Sequence, residues 1–268
     1  MNRRFFQFDR QGLGLALLLL IALFALAGPW LAGRAPFEQD LYGVLQAPGL
    51  HEPLGTDHLG RSMLARLADA TRLSLGLALI SVLTAAIPGT LLGLLAAWRG
   101  GWTARLIGTV ADSVLALPGL LLVLLLSAFA PGAFWPLYVG LSLVLWVEYF
   151  RVTQATASVV FASGHVEAAR LLGFGPGYVL WRHVLPELLP LLATLMSFGA
   201  SAAVLALAAM GFVGLGAQPP AAELGLMMTE LLPYAAEAPW IIASPIVVLT
   251  LATLALVLLS DAMQRRHA

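Results

Sequence analysis

Long intervals without charge constrain this chain more than any other feature. A charged side chain at the centre of a membrane helix costs about 2.5–3.5 kcal/mol on the insertion scale, so uncharged stretches mark what lipid can surround. Between Arg10 and Arg34 lie 23 uncharged residues, and between Arg72 and Arg99 lie 26. At about 1.5 Å per residue, each crosses a hydrocarbon core of about 30 Å. Asp112 to Glu148 and Glu187 to Glu223 each enclose 35 more. Pro131-Gly132 and Pro136 divide the first of these into spans near 106–130 and 134–150. In the second, Gly211, Gly214, Gly216 and Pro219-Pro220 stop the helix and leave one span near 188–210. The last interval, 238–260, is a sixth span. The expected fold class is an all-α integral membrane protein of about six transmembrane helices.

Composition agrees: 60% of the 268 residues are hydrophobic and 10% charged, where a soluble domain carries about a quarter charged residues. The net charge of zero gives no reason to expect nucleic acid. All 14 basic residues are Arg, with no Lys and no Cys. A P-loop needs its Lys on the phosphates and Schiff-base or Ser-Lys catalysis needs an amine, so the chain is not its own ATPase of that type. Thiolate nucleophiles, disulfides and thiolate metal sites are excluded as well.

Alternating six spans places both termini on one side, together with Arg3, Arg4, Arg10, Arg99, Arg105, Arg151, Arg170, Arg182, Arg265 and Arg266. The opposite side keeps only Arg34, Arg61, Arg66 and Arg72 and holds eight acidic residues. Positive-inside then predicts cytoplasmic termini. Arg3-Arg4 ahead of an apolar run containing Ala25-Leu26-Ala27 has the look of a cleavable signal. The run continues to Ala32 and five spans follow, so the first span is expected to stay.

Three parts follow: the N-terminal tail and first span over 1–33, an outer segment over 34–71, and a five-helix core over 72–268 with an inner loop at 151–187. In the outer segment Met63, Leu64, Leu67 and Ala68 predict a short amphipathic helix on the membrane face, capped by Thr56 or Asp57. His51, Asp57 and His58 lack tight ligand spacing, and no metal site is expected. In the inner loop the sequence predicts a helix over 166–172 with Glu167 near its positive end. Gly173 is the left-handed stop, and a second short helix ends at Pro186. Small Ala168 and Ala169 leave room for another surface to approach.

This inner segment resembles the EAA loop of ABC importer permeases, with Glu167-Ala168-Ala169, Gly173 and Leu185-Pro186 at the family's spacing. Leu54-Gly55-Thr56-Asp57-His58-Leu59-Gly60-Arg61 is similar to the signature of the peptide and nickel branch. The runs Ala70 to Gly76, Leu115 to Pro118 and Gly211 to Pro220, and Asp261, resemble the same branch. Ser62 stands where that branch usually has Asp, Gln154 where it often has Arg, and the tail stops without Leu-Asp-Pro. The resemblance is to the C-type permease subunit of dipeptide, oligopeptide and nickel importers, covering nearly the whole chain.

That resemblance implies a type I importer transmembrane domain in a bacterial inner membrane. It implies a second homologous permease, two ABC ATPases, a periplasmic or lipid-anchored solute-binding protein, and surrounding lipid as partners. Catalysis is assigned to no residue here; ATP and Mg belong to the ATPases, and this chain is expected to bind no cofactor. ATPase coupling falls to Glu167, Ala168, Ala169, Gly173, Leu185 and Pro186. Asp112, Pro118 and Gln218 are pathway candidates, and Asp57, His58 and Arg61 candidates for periplasmic docking or gating. Pro88 and Pro118 inside spans predict kinks. Glu148 is expected to pair with an Arg or sit at the interface, and Glu223, Glu230 and Glu237, seven apart, to form a solvated face. A nickel or metal chelate is preferred over a short peptide as solute. The rival classes are a proton-coupled secondary transporter resting on Asp112 and Glu148 and leaving the EAA segment unexplained, and an intramembrane hydrolase, for which the sequence offers no His-Glu-x-x-His motif.

Overall fold

The structure, a computed structural model, describes residues 3–130 and 132–265, with side chains for 11–130 and 132–264. Pro131, Arg266 and the side chains of Arg3, Arg4, Arg10 and Arg265 lie outside that description. The described residues form α1 (Arg3–Ala32), α2 (Met63–Arg99), α3 (Gly101–Leu115), α4 (Gly119–Phe129), α5 (Trp135–Phe161), α6 (Gly164–Leu171), α7 (Pro176–Val179), α8 (Leu185–Phe212), α9 (Leu224–Leu231) and α10 (Pro239–Arg265). One π turn, Leu180–Val184, joins α7 to α8.

Four stretches are long and apolar enough to cross a membrane: Gln11–Ala32, Met63–Arg99, Pro176–Phe212 and Pro239–Gln264. The bent pair α3 and α4, which meet at 78°, passes the same length and composition test only if it is taken as one broken span. The span expected over 106–130 is therefore broken. Pro118 has no N–H to give and pushes its predecessor out of the helical region, so the chain stops at Leu115 and restarts at Gly119. Pro88, by contrast, sits inside an unbroken α2. The 27 residues of α5 reach about 40 Å at 1.5 Å each, long enough to cross, but Glu148 and Arg151 dilute its hydropathy.

Two other expectations are corrected. The residues expected to make a short surface helix are the first turns of the 37-residue α2, and its N-cap residue is Ser62, not Thr56 or Asp57. The second inner helix does not end at Pro186 but runs on into α8, where Pro186 occupies the first turn and its missing N–H costs nothing there. The preceding π turn is where the helix absorbs that proline's lost bond to the Arg182 carbonyl.

Lipid is as apolar as a leucine side chain, so helices in it associate by close packing more than by hydrophobic transfer. The largest pairing, α2 against α5, shows how. On α5 the residues Leu137, Leu141, Leu145, Tyr149, Thr153 and Ala157, each four apart, are buried. Opposite them α2 offers Ala78, Val82, Ala85, Ala86, Gly89, Gly93 and Ala96. A Cβ on Gly89 would lie 2.6 Å from the Trp146 carbonyl oxygen, and one on Gly93 2.7 Å from that of Phe150. Only hydrogen fits at this crossing. Leu188, Val204 and Leu207 of α8 complete the same core, while a second core of Met63, Leu67, Leu224, Met227, Leu231 and Ile241 lies at the other end. The molecule thus has a cap, built from residues 33–62 and 213–238, and a loop end, built from 99–101 and 162–184.

Candidate functional site

At the loop end, α6 opens after Ser163 and closes in a Schellman turn: the Phe174 N–H donates to the Ala169 carbonyl at 3.1 Å and the Gly173 N–H to that of Arg170 at 3.0 Å. Gly173 has φ +83°, the left-handed conformation this stop requires. Val166 and Ala169 anchor the helix inward, leaving Glu167 and Ala168 exposed. Around them stand Leu171 at 84% exposure, Leu172 at 77% and Trp181 at 75%. Phe174 stacks on Tyr178 at 4.2 Å, Tyr178 meets His183 at 5.8 Å, and His183 meets His165 at 5.0 Å. This aromatic chain links the segment after α6 to the π turn and back to the start of α6. Leu185 and Pro186 lie past the π turn, at the foot of α8, so the coupling candidates form one continuous unit from α6 into a long apolar helix.

The cap is built on charge. Asp57 accepts from the N–H groups of Leu59 at 2.8 Å and Arg61 at 2.9 Å, from Arg61 Nε at 2.6 Å and from Arg66 Nη1 at 2.6 Å. Arg66 also donates through Nη2 to Glu230 at 2.6 Å, and Arg61 lies 3.7 Å from the same oxygen. Burial pushes the Asp57 carboxyl up, but Arg66, the two backbone N–H groups and Arg61 outweigh it and hold it below the usual range. His58 stacks on Tyr234 at 4.9 Å, and burial lowers its pKa. Arg34 donates to Glu52 at 3.2 Å, and Ser62, the residue departing from the branch's pattern, donates to the other oxygen of Glu52 at 2.6 Å.

Asp57, His58 and Arg61 were docking or gating candidates. Asp57 and Arg61 are buried, so neither offers its side chain to a docking partner in this conformation. They latch the outer segment to α9. The expected solvated face of Glu223, Glu230 and Glu237 is also corrected. Glu237 is exposed, but Glu230 closes the latch, and Glu223 is 1% exposed, accepting from the Leu226 N–H at 2.9 Å and from Ser74 Oγ at 3.1 Å. Desolvation outweighs these bonds and raises its carboxyl. Glu223 caps α9 and pins it to α2. Sequence reasoning missed Arg66, Glu223 and Glu230; the available signal was Arg66 itself, a cation set among Met63, Leu67 and Ala68.

The pathway candidates do not converge. Arg151 pairs with Asp112 at 2.6 Å, not with Glu148, and both partners are exposed. Pro118 sits in the α3–α4 break, whereas Gln218 lies near Gly132 beyond the far end of α4, about 16 Å of helix away at 1.5 Å per residue. Among the described residues no group of three or more His, Cys, Asp or Glu is placed to hold a metal.

Residues 89–268 match the family described as binding-protein-dependent transport system inner membrane component, and residues 3–48 match the N-terminal TM domain of oligopeptide transport permease C. The chain belongs to this family of inner membrane permeases. The permease is 36% identical over 257 residues to a di/tripeptide transport system permease protein of Pseudomonas aeruginosa, covering 94% of this chain and 85% of that one. It is 32% identical to a dipeptide transport system permease protein of Haemophilus influenzae (97% and 90% covered). To a glutathione transport system permease protein of Pectobacterium atrosepticum it is 30% identical (96% and 87% covered). The permease is a non-catalytic, multi-pass inner membrane subunit of a binding-protein-dependent transporter, as the C-type resemblance implied.

Proposed function

We propose that this permease forms half of the translocation pathway of an ATP-driven importer of short peptides. Both termini and the α6 loop face the cytoplasm, and the cap faces outward. A second homologous permease completes the pathway, two ATPases bind below, and a solute-binding protein delivers solute above. The observation that carries this reading is the α6 loop: a rigid helix with Glu167 and Ala168 exposed beside Leu171, Leu172 and Trp181. An exposed apolar face of this kind suits a protein partner better than water. The loop runs through the π turn into the 28-residue α8, so a pull on α6 reaches the membrane helices directly. ATP binding then shifts a population, favouring the global state to which the ATPases fit better. The relatives described above are named for peptides and glutathione, which moves the reading from a nickel chelate to a short peptide.

The test is co-purification of the tagged chain in mild detergent, native against a Glu167→Ala, Gly173→Pro double variant. Native protein is expected to bring down two ATPases and a second permease, and the variant to lose only the ATPases. Native chain that purifies without any ATPase overturns the reading.

A further inference from the structure

A cleft of about 750 Å³ opens at the loop end, between the last turns of α2, the end of α5 and the segment after α6. This is a ligand-sized volume. Its walls include Leu91, Leu94, Trp98, Phe161 and Phe174, with Arg170 the one charged side chain in the lining. No carboxylate among the described residues lies within 4.0 Å of that guanidinium, so its charge is uncompensated by an ion pair. The cleft also lies at a recognisable depth. Trp98 and Trp102 are exposed, with Arg99 and Arg105 beside them, the pattern of amphipathic rings and cations that marks the headgroup level. An apolar trough with one free cation at its rim suits a ligand with an acyl body and an anionic head. A free anion would leave the trough wet, and an uncharged lipid would leave Arg170 unanswered.

We propose that this cleft binds an anionic phospholipid of the cytoplasmic leaflet, its acyl chain against Leu94, Trp98 and Phe161 and its phosphate at Arg170. The site adjoins the face proposed for the ATPases, with Arg170 on the same helix as Glu167. Lipid occupancy would brace the α6 loop against α2, so the leaflet's charge would bear on coupling. The inference rests on the cytoplasmic placement of this end; its test needs no ATPase, so it can fail while the coupling reading stands.

The experiment reconstitutes the full chain in nanodiscs and reads Trp98 fluorescence, isolated from the other six tryptophans by difference from Trp98→Phe. Quenching by phosphatidylglycerol with brominated acyl chains is compared with quenching by brominated phosphatidylcholine. An about fivefold preference for the anionic lipid is expected, which is about 1 kcal/mol for one cation at the surface. Arg170→Gln removes the preference, Arg170→Lys keeps most of it, and Arg99→Gln leaves it. In native protein, raised salt weakens it, and inorganic phosphate at equal ionic strength does no more. Equal quenching by the two lipids overturns the proposal, as does a preference that survives Arg170→Gln or is lost equally in Arg99→Gln. Displacement specific to phosphate would make this a free-anion site.

Discussion

At the cap, Asp57, Arg61, Arg66 and Glu230 meet with side chains 0–15% exposed, each charge answered by another across the fold. At the loop end, Glu167 stands exposed on α6 next to apolar Leu171, and partway along α3 and α5 Arg151 and Asp112 pair at 53% and 69% exposure. The centre of the cap pairs its charges inside the subunit, although Glu38, Glu237, Tyr42 and Leu50 at its rim stay exposed, while α6 carries Glu167 and Leu171 on the outside with no ion pair among the described residues. A buried pair that loses one partner leaves an uncompensated ion, while an exposed pair returns to water. The cap is therefore sensitive to substitution as structure, and the loop as a contact surface.

The largest effect is expected from Arg66→Met, which leaves the carboxylates of Asp57 and Glu230 sharing the single guanidinium of Arg61: removing one partner of a buried pair costs about 3–5 kcal/mol. Thermal unfolding of the purified chain in detergent would show it as a marked fall in midpoint, and an unchanged midpoint would erase the contrast between the two ends. Next come two carboxylates within the cap whose pKa values shift in opposite directions. The Asp57 carboxyl is lowered from 3.8, so its stabilisation is present above that value and is lost as pH falls through the lowered one. The Glu223 carboxyl is raised from 4.5, so the unfolded chain ionises first and stability declines as pH climbs above 4.5. At neutral pH, Asp57→Asn should unfold earlier than native protein, and Glu223→Gln no earlier, with the amide oxygen still capping α9. Parallel shifts in the two variants would contradict this.

Smaller still is Asp112→Asn, an exposed pair whose loss should cost about 0.2–1 kcal/mol. A greater loss would place Asp112 in a setting drier than the isolated subunit shows, such as an interface with a second permease. Smallest is Leu171→Ala, expected within about 0.5 kcal/mol of native because its side chain touches little. The same variant should lose ATPases on co-purification. Retention of ATPases with a drop in stability would reverse the comparison and make α6 a structural element.

Much of this was legible in the residues. The charge-free intervals located α1, α2, α8 and α10 because the cost of a charge in lipid acts on each residue independently of its neighbours. Gly173 was readable as a helix stop because its reason is local: only a left-handed residue closes the Schellman turn. What failed needed context. A kink at Pro118 was readable because proline lacks an N–H, but neither its size, a 78° break, nor the unbroken helix at Pro88 was, since both depend on what packs around the proline. Period seven in Glu223, Glu230 and Glu237 suggested a solvated face, but Glu230 meets Arg66 across 164 positions and Glu223 meets Ser74 across 149.

By itself, then, the sequence determined that this chain lives in lipid, cannot hydrolyse ATP through a P-loop, and presents a helix–glycine–proline unit between two spans. These follow from side-chain solvation and backbone conformation, which are properties of residues and short segments. Only the tertiary structure decided which charges are buried, that α2 begins inside the cap, and that Arg170 faces an apolar cleft with no carboxylate of the described residues beside it. Those depend on which distant groups arrive within a few ångströms of one another, and in a low-dielectric interior that proximity sets whether a charge is a strut, a cost or a binding site.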